Sequence, residues 1–340
     1  MKEKIIITGG GTGGHLKVAD SLIDEFNKKD IDVIFIGSTN GQDMNWFEGD
    51  KRFFKTIFLD TKGVVNKKGF SKFFSLINIL KEVFYCLSLF RKFNIKKVIS
   101  VGGFSAAAAT FASIIKPNCK LFIHEQNSKM GKLNEITSKF ATAVFSSFHE
   151  FSPIKDYPVS KEFFNQARIR EEVKTIGFFG GSQGAVKIND FALQVAPKLN
   201  NLGLKIIHQA GKYDYERVKK EYEKLGIDAD VFDFTRDFMS KMRNTDFAVS
   251  RAGASTLWEM TANALPAFFI PYKYAASNHQ YYNAKKLVDE ELAFVCEEKS
   301  LNEEIFFKVL DCDIKNISER LNRYLAPNGA KQIVEFIQKS

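Results

Sequence analysis

A glycine-rich turn that closes on a histidine is the first segment with residue types suited to chemistry. It reads GGGTGGH over residues 9–15, after the apolar run at residues 5–8 and before a helical pattern. Glycine lets the backbone turn sharply and approach a ligand closely, and the N–H groups that begin the next helix favour phosphate or developing negative charge. Because a histidine titrates near neutral pH, we predict that His15 is a general base. The alternative is a histidine that only caps or packs the helix start.

The same turn has the G-x-G-x-x-G spacing of a dinucleotide-binding site. Such a site also needs an acidic residue at the end of the second strand, where it binds the ribose. Here the second apolar run ends at Gly37, and Asp30 and Asp32 precede that run. The missing acid argues against an NAD(P)-dependent dehydrogenase.

A second glycine-rich turn, GGSQGA at residues 180–185, follows another apolar run. It formally matches the nucleophile elbow of α/β-hydrolases, with Ser182 as nucleophile. Neither His208 nor His279 lies in a convincing downstream Asp–His pair. The hypothesis that we prefer is a phosphate cradle, in which backbone N–H groups and the Ser182 hydroxyl bind a diphosphate.

Three further polar clusters follow or adjoin predicted strands. The segment SRAGASTLWE ends in Glu259, whose carboxylate can accept two hydrogen bonds from a ribose diol. The segment NHQYYN at residues 278–283 carries amides, which donate and accept as sugar hydroxyls require. The segment HEQN at residues 124–127 is the third cluster. The ordinary alternatives are a solvated carboxylate, helix capping by Asn278 and a buried, hydrogen-bonded histidine.

Short apolar runs that alternate with helical stretches must position these residues. The runs lie at residues 5–8, 33–37, 98–101, 121–124 and 143–146, and again at 175–179, 205–209, 231–234, 247–250 and 267–270. This alternation predicts a doubly wound α/β fold with parallel sheets. Because the pattern restarts and 340 residues exceed one ordinary core, we predict two Rossmann-like domains, at residues 1–158 and 159–326. We also predict that a last helix, at about 327–340, packs back on the first domain.

The composition narrows the class of protein. The formal net charge of +9 suits nucleic acid, anionic membranes or phosphorylated small molecules, but no nucleic-acid-binding motif is present, so we expect no nucleic-acid partner. The four cysteines form no C-x-x-C pair, which fits a reducing cytosol. No apolar run is long enough to span a bilayer, and no signal peptide precedes the first strand.

In their order and spacing, these motifs resemble the MurG family of bacterial GT-B glycosyltransferases. The matching segments are GGTGGH (10–15), VGGFS (101–105), HEQN (124–127), GGSQGA (180–185), SRAGA (250–254) and HQYYNA (279–284). The resemblance implies a GT-B fold, with two domains facing each other across a cleft. It implies inverting transfer of GlcNAc from UDP-GlcNAc to lipid I, which gives lipid II for peptidoglycan. It also implies a peripheral enzyme on the cytoplasmic face of the bacterial inner membrane.

The resemblance also implies roles for particular residues. His15 would be the catalytic base, Ser182 would bind phosphate and the backbone at Thr235 would read the uracil. Glu259 would hold the ribose diol. The residues implied at UDP-GlcNAc are Thr12, Gly13, Gly14, Asn127, Ser182, Thr235, Ala254, Ser255, Thr256, Leu257, Trp258, Glu259, Gln280 and Asn283. We expect no cofactor and no metal.

Two segments depart from the family's usual pattern. The family's crossover segment Asn-Pro-Val-Arg reads YPVS here, so Ser160 stands in place of an arginine; Lys161, Arg168 and Arg170 are the nearby candidates to replace it. The family's extra residues between the histidine and the first helix are absent, which implies a tighter acceptor-side loop.

A lysine-rich segment that leads into an apolar helical stripe is the candidate membrane-facing surface. Such a combination suits anionic lipid, whereas a core-facing helix with a solvated basic side is the alternative. The residues that we predict to face the membrane are Phe73, Phe74, Ile77, Leu80, Phe84, Lys68 and Lys72.

Two other functions remain open from the sequence. One is a different GT-B enzyme, such as a UDP-GlcNAc 2-epimerase, which shares the nucleotide site but has no acceptor. The other is a non-catalytic nucleotide-sugar-binding module.

Overall fold

The computed structural model describes residues 2–63, 69–235 and 237–340, without the side chains of residues 69–74 and 76. Within it the chain forms two compact units. The first comprises residues 1–159 together with 328–340, and the second comprises residues 160–327.

The first unit is built on a six-stranded parallel sheet in the order β3-β2-β1-β4-β5-β6. Its strands are β1 (Lys4–Thr8), β2 (Asp32–Ser38), β3 (Lys55–Leu59), β4 (Lys97–Ser100), β5 (Lys120–His124) and β6 (Ala143–Phe145). Its helices are α1 (Gly13–Asn27), α2 (Asp43–Phe47), α3 (Gly69–Lys92), α4 (Ala107–Ile115) and α5 (Lys132–Thr137).

The second unit carries a second six-stranded parallel sheet, in the order β12-β11-β10-β7-β8-β9. Its strands are β7 (Thr175–Phe179), β8 (Lys205–Gln209), β9 (Ala229–Phe232), β10 (Phe247–Ser250), β11 (Ala267–Phe269) and β12 (Phe294–Val295). Its helices are α6 (Lys161–Asn165), α7 (Val186–Asn201), α8 (Tyr215–Leu225), α9 (Phe238–Arg243), α10 (Ala254–Ala262), α11 (His279–Val288), α12 (Glu303–Leu310) and α13 (Ile314–Tyr324).

The last helix, α14 (Gly329–Lys339), belongs to the first unit. It buries Ile333, Val334 and Ile337 and packs against α1. The Phe336 ring meets the Phe145 ring edge-on at 5.4 Å between centroids. Apolar burial and a ring contact therefore fix this helix to the sheet of the first unit.

The two sheets share one topology, and the predicted doubly wound α/β fold is confirmed. In each sheet the first strand of the unit lies beside the fourth, so the strand order reverses between β1 and β4 and between β7 and β10. In open parallel sheets, ligands bind outside the carboxyl ends of the strands at such a reversal. The glycine-rich turns follow β1 and β7, so each stands at the reversal point of its own sheet.

Beta-branched residues explain why the central strands form. Ile5, Ile6 and Ile7 on β1 and the run Val33–Ile36 on β2 are almost completely buried. Apolar runs of this kind are typical of parallel strands covered by helices on both faces. Of the helices that the structure describes, none is long and apolar enough to cross a membrane.

Candidate functional site

The glycine-rich turn after β1 packs directly against the turn after β4. The Gly10 N–H donates to the Gly102 carbonyl at 3.0 Å. Gly103 has a φ of +81°, and a Cβ there would clash with the Gly10 carbonyl oxygen. Both the left-handed backbone and the close approach require glycine. The two turns therefore form one backbone platform at the strand-order reversal of the first unit.

His15 lies in the first turn of α1, at the edge of this platform. Its Nδ1 is hydrogen-bonded to the Thr12 hydroxyl at 2.8 Å. A Cβ on Gly102 would lie 3.4 Å from the His15 Nε2 and 3.2 Å from the side-chain nitrogen of Asn134. Since Gly102 has no side chain, the imidazole and the amide both approach its open face. An imidazole with one nitrogen held in a hydrogen bond is oriented as a general base requires.

His124 and Glu125, at the end of β5, have different roles from His15. Burial, and then the charge of His15, lower the pKa of His124 to about 3, so this ring is neutral at physiological pH. Its edge meets the Tyr157 ring at 5.4 Å between centroids. His124 is thus a buried packing residue, although its Nδ1 forms no hydrogen bond among the described residues, unlike in the hydrogen-bonded alternative.

Glu125 is buried and orders the loop that follows it. Its carboxylate accepts hydrogen bonds from the Asn127 N–H at 2.9 Å, the Gly131 N–H at 3.0 Å and the Asn134 amide at 2.8 Å. The predicted ligand Asn127 is therefore held in place by a neighbour. Asn134, which the sequence argument missed, is placed beside His15 by the same carboxylate.

The second glycine-rich turn is fixed by β8 in the same manner. The N–H groups of Gly180 and Gly181 donate to the carbonyl and the side-chain oxygen of Gln209 at 3.1 and 3.2 Å. A Cβ on Gly211 would clash with the backbone of Gly184. Ser182 is half-buried at the tip of this turn.

The histidines that a hydrolase would need are occupied elsewhere. His208 is completely buried, and its nitrogens are hydrogen-bonded at 3.0 Å to the Tyr222 hydroxyl and to the Asn189 side-chain oxygen. Burial lowers its pKa to about 3. The Nδ1 of His279 bonds to the Ala276 carbonyl at 2.8 Å. These contacts weigh against Ser182 as a nucleophile with a histidine partner.

Helix α10 begins at the strand-order reversal of the second unit with an uncapped N-terminus. Its N-cap residue is Gly253, so no side chain caps it, and Ala254, Ser255 and Thr256 occupy its first turn. Helix N-termini of this type bind anions through backbone N–H groups and the helix dipole.

Two predicted donor contacts, Leu257 and Trp258, need a correction. The Leu257 N–H donates to the Gly253 carbonyl at 2.9 Å, and its side chain is completely buried. Trp258 is also buried, where its ring stacks on the Tyr324 ring at 6.2 Å between centroids. Neither side chain offers a surface to a ligand, because the inner face of α10 must fill the core.

The remaining predicted donor residues are held by defined contacts. Asn283 is completely buried, and its amide donates to the Ala252 carbonyl at 3.2 Å, so it anchors the turn before α10. The Gln280 side-chain oxygen accepts from the Tyr272 N–H at 2.9 Å. Glu259 is buried, which excludes the alternative of a solvated carboxylate. The Thr235 hydroxyl accepts from the Asp237 N–H at 3.0 Å.

Arg168 and Arg170, two of the candidates for the absent crossover arginine, are held by contacts inside the second unit. Arg168 pairs with Asp246 at 2.5 Å. Arg170 is completely buried, and its guanidinium donates to the backbone carbonyls of Arg168, Met242, Thr245 and Asn263 and to the side chain of Asn263. These arginines hold the second unit together.

Part of the predicted membrane-facing surface is described. Ile77, Leu80 and Phe84 on α3 are 37%, 55% and 65% exposed. These exposures weigh against a stripe that packs only into the core. Lys68 and the side chains of Lys72, Phe73 and Phe74 lie outside the described residues. Among the described residues, no cluster of histidine, cysteine, aspartate and glutamate is arranged to hold a metal ion.

Comparisons with known proteins agree on the family to which the chain belongs. Residues 5–146 match the glycosyltransferase family 28 N-terminal domain, and residues 175–337 match the glycosyltransferase family 28 C-terminal domain. A MurG crystal structure from Acinetobacter baumannii aligns over 100% of both chains with a TM-score of 0.81 at 22% identity. A UDP-GlcNAc 2-epimerase from Neisseria meningitidis, bound to UDP-GlcNAc, also covers 100% of both chains, with a TM-score of 0.66 at 12% identity. These two likenesses show the GT-B fold.

The chain is therefore a glycosyltransferase of family 28. A Campylobacter jejuni protein, strain RM1221, is 51% identical over 97% of this chain and 96% of its own length. A Sulfurimonas denitrificans protein is 49% identical over 99% of both. Both carry the name UDP-N-acetylglucosamine--N-acetylmuramyl-(pentapeptide) pyrophosphoryl-undecaprenol N-acetylglucosamine transferase, and the chain belongs to that family, the MurG family.

Proposed function

We propose that this enzyme transfers GlcNAc from UDP-GlcNAc to the 4-hydroxyl of the muramyl sugar in lipid I, which gives lipid II for peptidoglycan. The observation that carries the proposal is that each unit has a candidate site at its own strand-order reversal. The first unit has a histidine-bearing turn there, and the second has an uncapped helix and a glycine turn. The first is suited to a base and the second to a diphosphate. The substrates in this proposal are those that the names of the relatives state.

The second unit holds the donor in this proposal. The turn at Ser182 and the first turn of α10, from Ala254 to Thr256, bind the diphosphate through N–H groups and hydroxyls. Glu259 holds the ribose diol, the backbone at Thr235 reads the uracil, and the Gln280 amide contacts the GlcNAc. The side chains of Leu257 and Trp258 are buried and make no contact with the donor, and Asn283 acts by anchoring the turn before α10.

His15 acts as the base in this proposal. If its Nδ1–H donates to the Thr12 hydroxyl, Nε2 carries the lone pair that receives the proton. The acceptor oxygen then forms a bond to the anomeric carbon of GlcNAc while the bond from that carbon to the phosphate oxygen breaks. The electron pair leaves with UDP, and the anomeric configuration inverts. Gly13, Gly14 and Asn127 contact the sugar-nucleotide from the first unit.

A lipid acceptor requires that the enzyme reach the membrane, and we place it on the anionic cytoplasmic surface as a peripheral protein. The exposed Ile77, Leu80 and Phe84 of α3 support this location, together with the preceding lysines. Replacing Leu80 and Phe84 by serine should weaken binding to vesicles that contain anionic lipid, because both side chains expose apolar surface. Leu202→Ser in the second unit, where the side chain is 58% exposed, is the matched control. Unchanged vesicle sedimentation by the double variant would remove α3 from this role.

The test of function is the fate of a label on UDP-GlcNAc, incubated with and without lipid I. We expect labelled lipid only when lipid I is present. Formation of UDP-ManNAc without acceptor would establish an epimerase instead, and binding without any product would establish a binding module.

The matching test of the base is His15→Ala. General base catalysis is typically worth ~10²–10⁴ in rate, so turnover should fall by about that factor while UDP binding is kept. A near-normal rate in this variant would remove His15 from the proposal.

A further inference from the structure

Asp43 is a buried carboxylate that ties the catalytic turn to the neighbouring strand. It is the first residue of α2 and is completely buried. Its Oδ1 accepts from the Gly11 N–H at 2.5 Å, and its Oδ2 accepts from the Ser38 N–H at 2.9 Å. One side chain thus joins the turn after β1 to the end of β2.

Two glycines leave the space that this carboxylate fills. A Cβ on Gly10 would lie 2.5 Å from its Oδ1, and a Cβ on Gly37 would lie 3.0 Å from its Oδ2. Asp43 is therefore packed on both sides by backbone. An acidic residue does follow the second strand, but it faces inward to the turn's own N–H, where it cannot hold the ribose of a dinucleotide.

We infer that Asp43 is a positioning residue for His15, an inference that rests on the proposed function. The Gly11 N–H that it holds is followed directly by Thr12, whose hydroxyl is bonded to His15 and whose carbonyl accepts the His15 N–H at 3.2 Å. Releasing Gly11 lets the start of α1 shift, and the imidazole shifts with it. Displacing a catalytic group by about 1 Å can cost ~10²-fold in rate.

The test begins with Asp43→Asn, which keeps the size of the side chain. An amide can accept one of the two N–H groups, but its NH₂ then faces the other, so one buried N–H loses its acceptor. We expect kcat to fall about 10- to 100-fold, while UDP still binds with unchanged stoichiometry, because the contacts proposed for its uracil, ribose and diphosphate lie in the second unit. The matched control is Asp24→Asn, a half-exposed carboxylate that pairs with Arg52, which should leave kcat unchanged.

The decisive measurement is a double-mutant cycle with His15→Ala. If Asp43 acts through His15, Asp43→Asn should cause no further loss of rate when the imidazole is already absent. An equal fold-loss in both backgrounds, or a kcat equal to that of the wild type, would overturn the inference. If Asp43→Asn does not fold, Asp43→Ser keeps one acceptor with less bulk and serves in the same cycle. Wild-type transfer to lipid I, measured in parallel, reports separately on the proposed function.

Discussion

Replacing Thr12 by valine removes the hydroxyl that orients His15 and leaves the shape of the side chain. Thr12 is the N-cap residue of α1, but its side chain makes no capping hydrogen bond, so the change takes no cap from the helix. The contact that is lost is the 2.8 Å bond between its Oγ1 and the His15 Nδ1. The substitution therefore isolates the orientation of the imidazole.

The size of the effect follows from the value of one hydrogen bond. A typical net contribution is about 0.5–1.5 kcal/mol, and 1.4 kcal/mol corresponds to a factor of ten in rate. At about 1 kcal/mol, Thr12→Val should lower kcat roughly fivefold. Thr12→Ser keeps the oxygen and should retain most of the rate.

The assay is steady-state transfer to lipid I with both substrates varied. Because Thr12 is also proposed to touch the donor, a rise in KM for UDP-GlcNAc must be separated from the fall in kcat. The reasoning would be refuted if Thr12→Ser were as slow as Thr12→Val. It would also be refuted if Thr12→Val slowed the His15→Ala enzyme by the same factor, since no imidazole is left to orient.

Two further predictions concern stability. Arg170→Met should lower the free energy of unfolding by about 3 kcal/mol or more, because the buried carbonyls lose their donor. The control Arg217→Met, at an exposed ion pair, should lower it by about 1 kcal/mol or less. Urea unfolding measures both variants, and equal losses would contradict the role assigned to Arg170. The pKa values of His124 and His208 fall to about 3 in the folded protein, so the unfolded chain binds more protons below pH 6.5 and the protein loses stability as the pH falls from 6.5 toward 3. At pH 5 each histidine should cost roughly 2 kcal/mol, and calorimetry of the wild type and His208→Asn should show a shallower pH dependence in the variant.

Most of the strands that the sequence predicts are central strands with buried apolar runs, although the edge strands β6 and β9 were predicted as well. Ten apolar runs predicted strands, and each lies on one in the structure. The two strands without a prediction, β3 and β12, are edge strands. β3 begins with Lys55 and Thr56, so its apolar run is only three residues long, and β12 has only two residues within the apolar run at 292–296. Apolar runs therefore predict long strands more readily than short ones.

The site was predictable where glycine spacing sets the backbone, and less so where tertiary packing decides. The turns at residues 9–15 and 180–185 could be located from composition alone. Leu257 and Trp258 could not be excluded, because the sequence does not say which face of α10 is turned inward. Asp43 was missed because the Gly11 N–H that it binds is 32 residues away. Asn134 was missed because only the fold brings it close to His15.

The return of α14 to the first unit sets the order in which the enzyme can be completed during translation. Domains usually fold from the N-terminus as the ribosome releases them. Here the first unit lacks the helix that covers α1 and Phe145 until residues 328–340 have been made, after all of residues 160–327. The half that carries His15 is synthesised first and finished last. A chain that stops short of α14 would therefore contain every residue of the second unit but would leave α1 and Phe145 of the first unit uncovered.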